Sequence, residues 1–168
     1  RQPRGDATGR WWIAFNGEIY DHAEHRRSLE AEGVTFRSHS DTEVLLALLA
    51  RRGPEALAQV RGMFALALWD ERERSLLLAR DRVGIKPLYY HVGPGLLAFG
   101  SEIKALLRHP EVPRDIDSAA ISAFLTHMYV PGPGSAFLAI RRLPPAHVLV
   151  ADATGIGGAP PERHLRDY

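Results

Sequence analysis

The 168 residues carry 21 basic and 20 acidic side chains, a net charge of +1, and no cysteine. Near-neutral charge gives no electrostatic footprint for nucleic acid or an anionic membrane. The missing cysteine excludes disulfides, thiolate metal sites and a cysteine nucleophile within the chain.

The length suits one domain with a sizeable core, and 45% of residues are apolar. No apolar run reaches the length of a membrane span and no signal peptide is visible, so a cytoplasmic setting is expected. The paired arginines 26–27, 51–52 and 141–142 are short and scattered, and read as solvated faces. The histidines show no metal-ligand spacing; His22 and His25, one helical turn apart, have no carboxylate pattern to support zinc.

The chain opens with a polar, turn-forming lead, Arg1 to Arg10. Trp11 to Phe15 then forms an aromatic and β-branched run, which predicts a buried strand. It meets Asn16-Gly17 and the carboxylate of Glu18. Two readings apply. Asn-Gly is the commonest short hairpin signal, with Glu18 exposed beside it. Alternatively, an amide side chain, an unobstructed backbone N–H and a carboxylate at one rim could hold an oxyanion and an ammonium together.

Asp21 is placed to cap a helix from about His22 to Glu32, stopped by Gly33. Ser40-Asp41-Thr42-Glu43 has the spacing of a capping box, in which Ser40 and Glu43 satisfy each other's backbone N–H groups. Asp41 is left over at the first helical turn, where helix stabilisation alone would explain it. The helix it starts, Val44 to Arg52, is apolar nearly all round and so predicts burial on more than one side. Gly53-Pro54 ends it and a short helix follows to about Val60.

Phe64–Trp69 and Leu76–Ala79 form a hairpin whose strands do not alternate, which predicts cover on both faces. Arg80 to Lys86 is a dense charge cluster; it reads as an ion-pair network tying a loop to the sheet rim. Pro87–Tyr90 and Leu96–Phe99 make a second hairpin. Ser101 to Leu107 starts a helix that ends before Pro110. A further helix, Ser118 to Tyr129, places Ile121, Phe124, Leu125 and Met128 on one face. Ala146 to Val150 is the last strand, and the stretch 151–168 reads as an Ala-Gly-Pro-rich linker. Antiparallel strands covered on both faces predict a layered α+β domain, three or four layers deep, of one or two sheets.

Five segments stand in order: Phe15-Asn16-Gly17-Glu18-Ile19-Tyr20, Ser40-Asp41-Thr42-Glu43, Arg61-Gly62-Met63-Phe64-Ala65, Ala79 through Tyr90, and Ser101-Glu102-Ile103-Lys104-Ala105-Leu106. Together they resemble the glutaminase domain of glutamine-hydrolysing asparagine synthetases, class II amidotransferases of the N-terminal-nucleophile hydrolase type. Leu143-Pro144-Pro145-Ala146-His147 resembles that family's stretch near the domain end. The resemblance implies a four-layer αββα sandwich of antiparallel sheets over residues 1–150, incomplete at its N-terminus, with 151–168 leading toward a synthetase domain.

It also implies a chemistry. In the family an N-terminal cysteine attacks the side-chain amide of glutamine, a thioester forms, ammonia leaves, and water releases glutamate. Asn16, through its side-chain NH2, and Gly17, through its backbone N–H, match the oxyanion hole. Glu18 and Asp41 match residues that hold the polar end of L-glutamine, with Asp41 facing its α-ammonium. Arg80 and Asp81 match a recurrent segment read as structural. The family's nucleophile and its carboxylate-gripping arginine have no counterpart here, so the chain alone is expected to be inactive.

No cofactor or metal is expected in this stretch. ATP and Mg belong to the C-terminal ATP-dependent synthetase domain expected as the partner in the same chain, where ammonia would amidate aspartate; a homodimer is compatible with the resemblance. Two other readings stand beside this one: a non-catalytic glutamine-binding or scaffold module, and an amidotransferase with another acceptor.

Overall fold

The computed structural model describes residues 2–152 and 165–167. Two antiparallel sheets are stacked face to face. The larger has six strands in the order β1 (Arg4–Gly5), β2 (Trp11–Ile19), β3 (Gly62–Asp70), β4 (Ser75–Arg80), β8 (His147–Ala151) and β9 (Leu165–Asp167). The smaller has three, in the order β6 (Leu96–Gly100), β5 (Tyr89–Gly93) and β7 (Arg141–Arg142).

Helices α1 (His22–Ala31) and α2 (Asp41–Arg52) cover the outer face of the large sheet. Leu29, Val44, Leu45, Leu48 and Leu49 pack there against Ile13, Phe15, Phe64, Leu66 and Leu68. Side chains of opposite parity face the second sheet, and they are smaller: Ala14, Ala65 and Ala67, with Leu78 and Leu149, meet Leu88, Tyr90 and Leu143. Short side chains let the two sheets approach. The outer face of the small sheet is closed by α3 (Ile103–Leu106), through Leu106, with Val112 and Ile140. The layers therefore run helix, sheet, sheet, helix. The non-alternating apolar strands are non-alternating because both of their faces are interior.

Local chemistry explains most element boundaries. Ser40 caps α2 by accepting from Thr42 N at 3.2 Å. Gly53, at φ +74°, receives the chain after Arg52. Pro94-Gly95, with Gly95 at φ +68°, turns β5 into β6.

Several expectations need correction. Asn16-Gly17 makes no turn: β2 runs straight through it, with Asn16 opposite Ala65 and Gly17 opposite Phe64. The glycine serves a close approach, since a Cβ there would lie 2.1 Å from Met63 O and 2.7 Å from Phe64 Cα. Asp21 makes no side-chain cap; its carboxylate accepts from Arg61 N and Nε, tying the start of α1 to the start of β3. Only half of the capping box forms. Glu43 turns instead to Arg37 N, to Ser38 N and Oγ, and to Arg4 at 2.8 Å.

Helix α4 (Ser118–His127) is capped by Asp117, which accepts from Ala119 N and Ala120 N. Only Ala120 within it is buried; Phe124, Leu125 and Met128 are exposed. The face that Ile121, Phe124, Leu125 and Met128 form is exposed rather than packed against the core. Most of the expected linker lies outside the described residues, but Ala151 closes β8 and Leu165–Asp167 pair with it as β9.

The charge cluster after β4 is built on charge-to-backbone bonds. Arg80 donates from Nε to Lys86 O, from Nη1 to Leu143 O and from Nη2 to Gly84 O. Asp81, fully buried, accepts from the backbone N–H groups of Phe64, Val83, Ile85 and Lys86. Burial pushes its carboxyl up, but those N–H groups outweigh it and hold the group below its ordinary range. Burial lowers the Arg80 guanidinium.

Candidate active site

The site is built on the outer edge of β2. In an antiparallel pair, successive backbone N–H groups point alternately toward and away from the partner strand. Phe64 O accepts from Asp81 N, so Phe64 turns its polar groups toward β4, away from β2. Gly17, directly opposite Phe64, therefore turns its own N–H away from β3. Phe15 and Ile19 share this parity. Phe15 N donates to Gln2 Oε1 at 2.7 Å, and Phe15 O accepts from Gln2 Nε2 at 2.6 Å. Ile19 N donates to Asp41 Oδ2 at 3.1 Å. Among the described residues no acceptor takes the Gly17 N–H between them. Among the described residues it stands as an open outward donor between the satisfied N–H groups of Phe15 and Ile19.

The side chains of β2 alternate as well. Ile13, Phe15 and Ile19 enter the helix-side core, while Asn16 and Glu18 project from the opposite face and are exposed. Asn16 Nδ2 donates to Ser101 Oγ at 3.0 Å, linking the large sheet to the end of β6 in the small one. Asp41 comes from the other side, at the first residue of α2. Its Oδ1 accepts from Thr42 N at 2.7 Å and its Oδ2 from Ile19 N. Each carboxylate oxygen keeps further accepting capacity. The outward N–H groups of residues 17 and 19 are about 7 Å apart along a strand, a separation that the two polar ends of an extended glutamine cover.

The structure thus brings Asn16, Gly17 and Asp41 to one strand edge, with Glu18 beside them. Sequence reasoning missed Gln2 and Ser101. Gln2 lies in the polar lead, and Ser101 reads in the sequence only as the start of a helix. The signal for Ser101 was its place in one of the five segments. Two cavities border this region. A cavity of about 610 Å³ opens between β1, α2 and residues 34–37, but contains none of Asn16, Gly17, Glu18 and Asp41. A smaller one, about 190 Å³, is lined by Gln2, Asn16, Gly100 and Ser101 among others. The smaller one borders the candidate site through Asn16, beside Gln2 and Ser101; Gly17, Glu18 and Asp41 line neither cavity. Among the described residues there is no cluster of three or more His, Asp or Glu side chains able to hold a metal ion, and no helix long and apolar enough to cross a membrane.

The layering and the strand order define a known class of fold. The glutamine phosphoribosylpyrophosphate amidotransferase of B. subtilis, solved with ADP and GMP, superposes with a TM-score of 0.61 at 21% identity, over 99% of this chain and 31% of its own. The glutamine amidotransferase domain family matches residues 1–160, and the chain belongs to that family.

Its relatives narrow the branch. Asparagine synthetase [glutamine-hydrolyzing] 1 of Bacillus subtilis (strain 168) is 40% identical over 144 residues, 86% of this chain and 23% of that protein. Asparagine synthetase [glutamine-hydrolyzing] 3 of the same organism is 37% identical, over 93% of this chain and 26% of its own length. The amidase chry2 of Gibberella zeae is 41% identical over 63% of this chain and 16% of its own. The chain is a glutamine amidotransferase domain homologous to the glutaminase domains of asparagine synthetases, and it spans about a quarter of those relatives' length.

Proposed function

We propose that this domain forms the oxyanion-binding and substrate-holding half of a glutaminase site. The site would serve a protein that hydrolyses L-glutamine to glutamate and ammonia, and passes the ammonia to ATP-dependent amidation of aspartate. The outward Gly17 N–H beside the Asn16 carboxamide carries this reading.

When a thiolate attacks the glutamine side-chain amide, the carbonyl oxygen gains negative charge. Two fixed N–H donors stabilise that charge more than they stabilise the ground-state carbonyl, which lowers the barrier. Asn16 Nδ2 and Gly17 N are the two donors. Asp41, held by Ile19 N and Thr42 N, faces the α-ammonium and fixes which end of glutamine meets them. Glu18, exposed on the same face as Asn16, supplies a second negative charge toward that polar end. The sequence has no cysteine, so the reading places the attacking thiol outside these residues. ATP and its Mg would be bound by a domain corresponding to the remaining length of the asparagine synthetase relatives.

The test uses the full-length protein. Asn16→Ala should lower kcat for glutamate release by roughly two to three orders of magnitude, the usual loss of one oxyanion donor. Synthesis driven by added ammonium should continue at the unmodified rate. Glutamate release at the wild-type rate in that variant would overturn the assignment. Asp41→Asn should instead raise KM for glutamine, because it removes a ground-state contact to the ammonium.

A further inference from the structure

Building on the oxyanion reading of Asn16, we infer that Ser101 is a positioning residue of the glutaminase reaction. Its hydroxyl anchors the Asn16 carboxamide, accepting from Nδ2 and so limiting the rotation of the group that meets the reacting oxygen. The observation is one hydrogen bond between the two sheets. Asn16 Nδ2, on β2 of the large sheet, donates to Ser101 Oγ, just past the end of β6 in the small sheet, at 3.0 Å. Both residues line the 190 Å³ cavity.

The ordinary use of a serine before a helix does not account for this side chain. The N-cap of α3 is Glu102, and no side chain caps that helix. The Ser101 hydroxyl is aimed 85 residues away in sequence, at the one amide on the cavity rim that the reaction needs.

The chemistry of a carboxamide makes that contact consequential. Its outer torsion is soft and nearly two-fold. One rotamer presents NH2 to an incoming oxyanion; the other presents Oδ1, whose lone pairs repel it. The NH2 group has two N–H bonds. With one committed to Ser101 Oγ, the nitrogen is held on the cavity side and the second N–H is left for the substrate. Removing the hydroxyl frees the carboxamide to rotate, and part of the reorganisation then falls in the transition state.

The experiment compares Ser101→Ala, Ser101→Thr, Asn16→Ala and the double variant Asn16→Ala/Ser101→Ala in the full-length protein, reading kcat and KM for glutamate release. Losing one hydrogen bond of ordinary strength predicts a roughly three- to tenfold fall in kcat for Ser101→Ala. KM for glutamine should stay within about twofold, because the ground-state contacts to glutamine are elsewhere. Ser101→Thr keeps the hydroxyl and should recover most of the loss. The double variant should be no slower than Asn16→Ala alone, since Ser101 acts through Asn16.

A double variant slower than Asn16→Ala by the full Ser101→Ala factor would show an independent role and overturn the inference. So would wild-type kcat in Ser101→Ala, or a loss that Ser101→Thr fails to recover. If Asn16→Ala itself leaves glutamate release unchanged, the oxyanion reading fails. If Asn16→Ala is impaired and Ser101→Ala is not, only the positioning role falls.

Discussion

Gly17 shows how much one residue is asked to do. It must let the backbone of Met63 and Phe64 pass close by, and it must turn its N–H outward with no side chain in the way. Gly17→Ala places a Cβ 2.1 Å from Met63 O, so β2 and β3 have to separate locally. Overpacking of that kind costs about 1–3 kcal/mol. We expect thermal unfolding of Gly17→Ala to show the loss, together with reduced glutamate release in the full-length protein. A second residue-scale case is Asp81. Four backbone N–H groups converge on its buried carboxylate. Asp81→Asn turns part of that acceptor into a donor facing donors. A cost of at least about 2 kcal/mol is expected, since hydrogen bonds to a charged group are the strong ones. Denaturant titration measures it; an unchanged midpoint would contradict the role.

At the scale of elements, α2 binds the site to the core. Its first residue is Asp41, and four of its leucines, at 45, 46, 48 and 49, are essentially buried. Leu49→Ala should cost about 2–5 kcal/mol, measured as a lowered unfolding midpoint. This helix was legible in the sequence, because Ser40 announces its start and the unbroken apolar run announces its burial. The doubly covered hairpin of β3 and β4 was legible for the same kind of reason. Other features were not. The Asn16-Gly17 pair reads locally as a turn, and only the backbone of Met63 and Phe64 explains why a strand needs glycine there. The Glu43 carboxylate was expected at Ser40, but Arg4 and the 37–38 backbone outcompete that contact. The periodicity of α4 marks a helix, yet periodicity does not say whether a partner lies against the apolar face. The contacts of Ser101 and Gln2 to β2 do not show in local sequence, because they join residues 85 and 13 positions apart.

For the whole molecule, four carboxylates held low in the folded state, Asp6, Glu43, Asp70 and Asp81, set the response to acid; at Asp6 burial is outweighed by the Thr8 hydroxyl and the backbone N–H groups around it. The Arg10 guanidinium lowers the Asp70 carboxyl, with help from the backbone N–H groups of Glu73 and Arg72. Burial raises Glu43, but Ser38, the Arg37 backbone and Arg4 outweigh it and hold that group low. Asp81 is held low by backbone N–H groups, as described above. A carboxyl depressed in the folded state contributes stability that is fully present above its unfolded value, about 4 for these groups. That contribution is lost as pH falls through the lower folded values. Stability should therefore be flat on this account from neutrality down to about pH 5, and fall progressively below about pH 4. Thermal melts across that range check it; a steep loss between pH 7 and 5 would point to other groups. Where glutamine sits is read most directly from a crystal structure of the full-length protein with the product L-glutamate bound. The γ-carboxylate should lie within about 3 Å of both Asn16 Nδ2 and Gly17 N, with the α-ammonium against Asp41. Glutamate lodged in the cavity between β1 and α2, or touching neither Asn16 nor Gly17, would contradict this placement.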